Sequence, residues 1–138
     1  FGTVLHEVMA YVDVPQDLER ALSQSNTKER LGTTQYERLF KSAQEMLDHE
    51  QLAAFFDPAN TPYKERALIA ANGELLRPDR FVITKEKNVF LLDYKTGQHH
   101  KSHANQLDEY ATCLRQQGLN VKQKLLVYCG NSLIFKEV

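Results

Sequence analysis

Asp93 and Lys95 stand two positions apart at the end of the apolar run Phe90-Leu91-Leu92, and Thr96-Gly97 closes the segment. Both faces of that run are apolar, so it reads as a buried strand. Side chains alternate along a strand, so Asp93 and Lys95 point one way and Tyr94 the other. Placing a carboxylate and an ammonium together at the end of an apolar strand costs desolvation. Such a pair is either a structural ion bridge or part of a chemical site. A second acid, Asp79, stands just ahead of Phe81-Val82-Ile83, 14 positions before Asp93. The intervening Thr84-Lys85-Glu86-Lys87-Asn88 is polar and turn-like. This spacing predicts an antiparallel hairpin whose open end brings Asp79 beside Asp93. Two adjacent hard carboxylates suit Mg²⁺ or Mn²⁺. A lysine next to them can orient a water or stabilise negative charge on a phosphate.

Pro78-Asp79 followed by Asp93-Tyr94-Lys95 resembles the signature of the PD-(D/E)xK nuclease superfamily. The surroundings extend the resemblance. Asp93-Tyr94-Lys95-Thr96-Gly97 is similar to the corresponding stretch of the RecB-type nucleases. Gln106-Leu107-Asp108-Glu109-Tyr110 is similar to their Gln-x-x-x-Tyr motif, and Gly2-Thr3-Val4-Leu5-His6 to their Gly-x-x-x-His helix. Glu65 matches an acid often found there, at the start of the strand before Asp79. The chain also resembles nuclease domains at the C-terminus of UvrD/RecB-like helicases.

The resemblance implies a restriction-endonuclease-like core and metal-dependent hydrolysis of DNA in recombination or repair, as an exonuclease rather than an endonuclease. It implies Mg²⁺ or Mn²⁺ held by His6, Asp79, Asp93 and the backbone carbonyl of Tyr94. Asp79, Asp93 and Lys95 become the catalytic residues, Gln106 and Tyr110 the substrate contacts, and Glu65 a further candidate. DNA and a helicase domain of the same chain are the implied partners. Some relatives carry an iron–sulfur cluster on four cysteines, which the two cysteines here cannot hold. Two other readings stay open: a non-catalytic DNA-binding or assembly module with a nuclease fold, and a free-standing resolvase or repair endonuclease. Intact Asp79, Asp93 and Lys95 argue against the first. His6 and the Gln106/Tyr110 pair argue against the second.

The elements that must position these residues can be read from periodicity. Val4, Leu5, Val8, Met9 and Val12 recur at helical spacing, with His6 at the edge of the stripe. Residues 16–57 read as amphipathic helix, broken near Ser25-Asn26 and Gly32 and stopped by Asp57-Pro58-Ala59-Asn60. His49 reads as a surface residue. Strands are expected over Ala67–Ala70, Leu75–Ile83, Val89–Tyr94, Val121–Tyr128 and Leu133–Phe135, with turns at Asn72-Gly73 and Gly130-Asn131. Pro78 marks an irregularity in the second. A helix from about Ser102 to Gln117 buries Leu107, Ala111 and Leu114, sets Gln106 and Tyr110 one turn apart, and ends at Gly118. The expected fold is α/β, a central mixed sheet of about five strands flanked by helices. Residues 1–57 form a mainly helical part and residues 64–138 the catalytic sheet plus helix.

With 138 residues, the chain has room for one domain with a real core, and it reads as a fragment of a longer protein because it opens on Phe1. No apolar run approaches the roughly 18 residues of a membrane helix, and there is no secretory pattern; a cytoplasmic location is expected. Cys113 and Cys129 sit among apolar neighbours as buried free thiols. The net charge of −1 does not describe a free-standing DNA clamp. It suits a domain that receives its DNA from an attached motor. Lys95, His99, His100, Lys101 and His103 form a local basic strip, read as a solvated loop rather than a nucleic-acid contact.

Overall fold

The computed structural model describes residues 1–130 and 133–138. Among the described residues there are seven strands: β1 (Thr61–Lys64), β2 (Leu68–Ile69), β3 (Leu75–Leu76), β4 (Arg80–Ile83), β5 (Asn88–Lys95), β6 (Asn120–Cys129) and β7 (Leu133–Glu137). Five of them form a central sheet in the order β1-β4-β5-β6-β7. β5 pairs antiparallel with β4 and parallel with β6, so the sheet is mixed. A parallel neighbour requires a crossover, and the helix Lys101–Gln116 between them supplies it.

The helices are α1 (Gly2–Ala10), α2 (Leu18–Gln24), α3 (Thr27–Asp48) and α4 (Lys101–Gln116). The helical stretch expected over 16–57 resolves into α2, α3 and two 3₁₀ segments, Pro15–Asp17 and Glu50–Phe56. The anticipated breaks are real: Asn26 has φ +49, and Gly32 interrupts α3 at φ +75, where glycine meets no Cβ penalty. Alternation along β5 sorts its side chains into two cores. Phe90, Leu92 and Tyr94 pack with Leu5, Val8 and Met9 under the N-terminal helices. Val89 and Leu91 pack with Leu107, Ala111 and Leu114 of α4. A strand buried on both faces has no solvated side, which is why its sequence shows no polar alternation.

Two expected strands are placed differently. Ala67–Ala70 contributes only β2, which pairs with β3 in a separate ribbon closed at Asn72-Gly73, with Gly73 at φ +85. Leu75–Ile83 divides into β3 and β4 because Pro78 has no N–H for the ladder. The remaining strand of the central sheet is β1, which contains Pro62 and lies at the sheet's edge, where proline is tolerated. His49 is half-buried rather than a plain surface residue: its ring centroid lies 4.0 Å from that of Phe135. The turn expected at Gly130-Asn131 lies outside the described residues at Asn131. Cys113 and Cys129 are buried and free. Among the described residues no helix is long and apolar enough to cross a membrane.

Candidate active site

The site begins at the open end of the β4–β5 hairpin. Arg80 pairs with Leu92, which sets Asp79 against Asp93 one step further out. The two acids and the strand backbone clasp each other. The Asp79 amide donates to Asp93 Oδ1 at 2.9 Å, and the Tyr94 amide donates to Asp79 Oδ2 at 2.8 Å. Lys95 Nζ lies 3.3 Å from Asp93 Oδ2 and donates to Gln106 Oε1 on α4 at 2.7 Å. Asp93 and Lys95 thus share a strand face, as alternation requires. Tyr94 turns its ring into the opposite core, where its hydroxyl is buried and has no hydrogen-bond partner among the described residues.

Helix α1 brings His6 to the same corner. Its Nδ1 lies 2.8 Å from the Gly2 carbonyl one turn back. A carbonyl can only accept, so Nδ1 carries a proton and the ring is fixed with Nε2 facing the sheet. Nε2 lies 3.1 Å from Asp79 Oδ2 and 3.0 Å from the Tyr94 carbonyl. The Gly-x-x-x-His spacing follows from this geometry, since residues four apart stack on one helix face. Gly2 also lets α1 approach the end of β5: a Cβ there would stand 2.7 Å from Thr96 Oγ1, so Thr96 would have to rotate.

A second tie between the chain leaving α1 and the sheet is Arg80, next in sequence to Asp79. It is 0% exposed. Its guanidinium donates to the carbonyls of Phe55 at 2.9 Å, Val12 at 2.6 Å and Asp13 at 3.1 Å, and lies over the Phe56 ring at 4.1 Å. One side chain therefore holds β4, the chain leaving α1 and the second 3₁₀ segment together. Burial pulls its pKa below the usual arginine value.

The carboxylates set the electrostatics. The Asp79 carboxylate, hydrogen-bonded to His6, raises the imidazole pKa to about 9 against the opposing effect of burial. Asp93 is 2% exposed, and burial, then the charge of Asp79, push it up to about 7 while Lys95 pulls it back. Glu65 is raised by partial burial and by Asp79. A cleft of about 850 Å³ opens beside this corner, lined by Phe1, Gly2, His6, Glu65, Asp79 and Thr96 among others. Among the described residues no three His, Cys, Asp or Glu side chains form a ready ligand cluster. The third convergent donor is instead the Tyr94 carbonyl. One imidazole nitrogen with carboxylate and carbonyl oxygens is a donor set that fits Mg²⁺ or Mn²⁺, and a cation there would offset the charge that raises Asp93.

The fold thus gathers His6, Asp79, Asp93, the Tyr94 carbonyl, Lys95 and Gln106. Glu65 lines the same cleft, but it follows β1 at φ +53 instead of opening a strand, and its amide donates to the Asp79 carbonyl at 3.1 Å. Tyr110 lies beside the site carboxylates: burial, then the charges of Asp93, Asp79 and Glu65, raise its pKa. It is 4% exposed, its ring packs in the core beneath α4, and its hydroxyl reaches the Arg77 carbonyl at 3.4 Å. Arg80 had escaped notice. Its signal was an arginine placed between Asp79 and the apolar Phe81-Val82-Ile83, on a strand with no solvated face to receive it.

Residues 1–135 match the model of the PD-(D/E)XK nuclease superfamily, and the chain belongs to that superfamily. Its five-stranded mixed sheet flanked by helices is consistent with a restriction-endonuclease-like fold. Among solved structures the chain is similar to the crystal structure of SSO0001, at 16% identity and a TM-score of 0.38 over 95% of this chain. It spans 65% of the length of that chain. No curated protein matches it.

Proposed function

We propose that this superfamily member hydrolyses phosphodiester bonds in DNA with the help of Mg²⁺ or Mn²⁺. The observation that carries this reading is the convergence on His6 Nε2 of Asp79 Oδ2, at 3.1 Å, and the Tyr94 carbonyl, at 3.0 Å, with Lys95 Nζ 3.3 Å from Asp93 Oδ2 beside them. His6, Asp79, Asp93 and the Tyr94 carbonyl would hold the ion. When bound, the metal lowers the pKa of a water and neutralises charge on the phosphate. His6 must release its Nε2 proton to become a ligand, because an imidazolium nitrogen has no free lone pair. The Asp79 and Tyr94 amides fix the two carboxylates, so little reorganisation is needed at the reaction. Lys95, held by Gln106, positions the attacking water or stabilises charge on the pentacovalent phosphate. Gln106 is half-buried and reaches the substrate side through this pair; Tyr110 supports α4 and the Arg77 carbonyl from beneath.

The RecB-type motifs support the finer reading: an exonuclease module of recombination or repair, in the cytoplasm, receiving DNA from a helicase domain of the same chain. Labelled single- and double-stranded DNA incubated with Mg²⁺, Mn²⁺ or chelator tests the activity. Cleavage that needs the metal and disappears in Asp79→Ala and Asp93→Ala is expected. Metal-dependent cleavage that survives both changes would place the chemistry elsewhere, and no cleavage by the parent would favour a non-catalytic module.

A further inference from the structure

The basic strip after Lys95 does not remain a loop in isolation. Lys95 pairs across the sheet with Tyr128, and Leu126 with Lys136. Leu126 and Tyr128 pack on the α4 side of the sheet, so Lys136, opposite Leu126, emerges on that side as well. The His99 ring stacks on Tyr128 at 3.8 Å and 15°, and His103 Nδ1 lies 2.9 Å from the Tyr128 hydroxyl. Between β6–β7 and the start of α4 is a depression of about 380 Å³ lined by His99, His100, Lys101, Asn105 and Lys136, with no carboxylate in its wall. Neither Lys101 nor Lys136 joins an ion pair among the described residues. The nearby acid Asp108 is bound to Lys124, and Glu137 follows Lys136 onto the other face. A solvated charge run would scatter its cations. Here lysines from a strand and a helix converge on one hollow, and two imidazoles are seated on a buried tyrosine.

We propose that this hollow binds the phosphate backbone of a nucleic acid strand and carries it between the β7 edge and Lys95. The proposal rests on the nuclease reading for its substrate, but its evidence is separate from the acids of the cleft. The positive end of the α4 dipole adds to the field of Lys101 and Lys136. The two lysines are the contacts that release counterions when phosphates bind.

The test is fluorescence anisotropy with labelled single- and double-stranded oligonucleotides, in chelator so that no cleavage occurs, from 50 to 200 mM salt. The variants are Lys101→Gln plus Lys136→Gln, and as control Lys85→Gln plus Lys87→Gln at the opposite end of β5. All four lysines stand outside the core, and thermal melts check that the fold is retained. Two lost phosphate contacts predict binding about 100-fold weaker at 50 mM salt, with the gap to the parent narrowing about tenfold by 200 mM. The control variant should bind as the parent does. Comparing the two oligonucleotides says whether one strand or a duplex is held. Equal affinity and salt slope in the patch variant, an equal loss in the control, or no binding by the parent at 50 mM would each overturn the proposal. A parent that binds through the patch yet never cleaves with metal would support this surface and sink the nuclease reading. A parent that cleaves while the patch variant binds unchanged would do the reverse.

Discussion

At the scale of single residues, two groups in the corner hold protons more tightly in the folded protein than in the unfolded chain. Asp93 rises from 3.8 to about 7, and His6 from 6.5 to about 9. A raised pKa contributes stability that is complete below the unfolded value and is lost as pH climbs through the folded value. Both groups therefore act in the same direction. In chelator, the melting temperature should fall as pH rises from about 5 to about 9, with the upper part of the fall missing in His6→Ala. A melting temperature that is flat or rising over that range would contradict the protonation described here. Added Mn²⁺ should restore stability most at the alkaline end, where His6 has already lost its proton. Lys95 is different in kind: it carries a cation and cannot be a ligand. Lys95→Ala should keep Mn²⁺ affinity by calorimetry within a few-fold while cleavage drops about 10²–10³-fold, the usual worth of one electrostatic stabiliser. Wild-type cleavage rates in that variant would remove Lys95 from the mechanism.

At the scale of elements, the site is a meeting of one hairpin and one helix that are far apart in sequence. The hairpin places its own residues, since Asp79 and Asp93 are clasped through the ladder. Helix α1 has no ladder; besides the His6 contacts, the chain leaving it needs a tie to the sheet. Arg80 supplies it, from a buried position without a carboxylate partner among the described residues, to three carbonyl oxygens. Arg80→Met keeps much of the volume but strands those acceptors. It should cost about 3–5 kcal/mol in urea unfolding, as expected for breaking a buried charged network. Arg80→Lys, which keeps the charge but lacks the planar fork, should recover only part of this. A loss below about 1 kcal/mol for the methionine variant would mean that apolar packing and the His6 contacts hold α1 without Arg80.

At the scale of the whole molecule, charge is divided rather than absent. The cleft beside His6 carries Glu7, Glu65 and Asp79, while the hollow beside α4 carries lysines and histidines. A net charge of −1 hides both. Long-range attraction for DNA is therefore weak, and local contacts are screened at physiological salt. The 138-residue chain alone should bind DNA weakly near 150 mM salt and gain clearly when joined to a helicase region. Anisotropy titrations of both proteins at matched salt would check this. Tight binding by the short chain, with no gain in the longer one, would point to a free-standing nuclease.

The sequence by itself determined the hairpin and which residues meet at its open end. Strand alternation and turn composition act over a few residues, so Asp79, Asp93 and Lys95 could be brought together on paper, and the helical stripe of α1 could be read with His6 at its edge. The strip at Lys95–His103 was visible too, but not what it faced. The tertiary structure alone decided the rest, because each remaining feature depends on partners distant in the chain. β1, Thr61–Lys64, was not among the expected strands, and only the sheet places its Pro62 at an edge, where proline is tolerated. Tyr110 shared a helix face with Gln106, yet the ribbon of β2 and β3 and the rest of the α4-side core closed over its ring. Lys136 joined Lys101 only through the pairing of β6 with β7. Arg80 was not singled out, and its three acceptors come from segments 25 to 68 positions away. Local periodicity carries no information about which distant carbonyls will need a donor, and that need is created by the packing of α1 against the sheet.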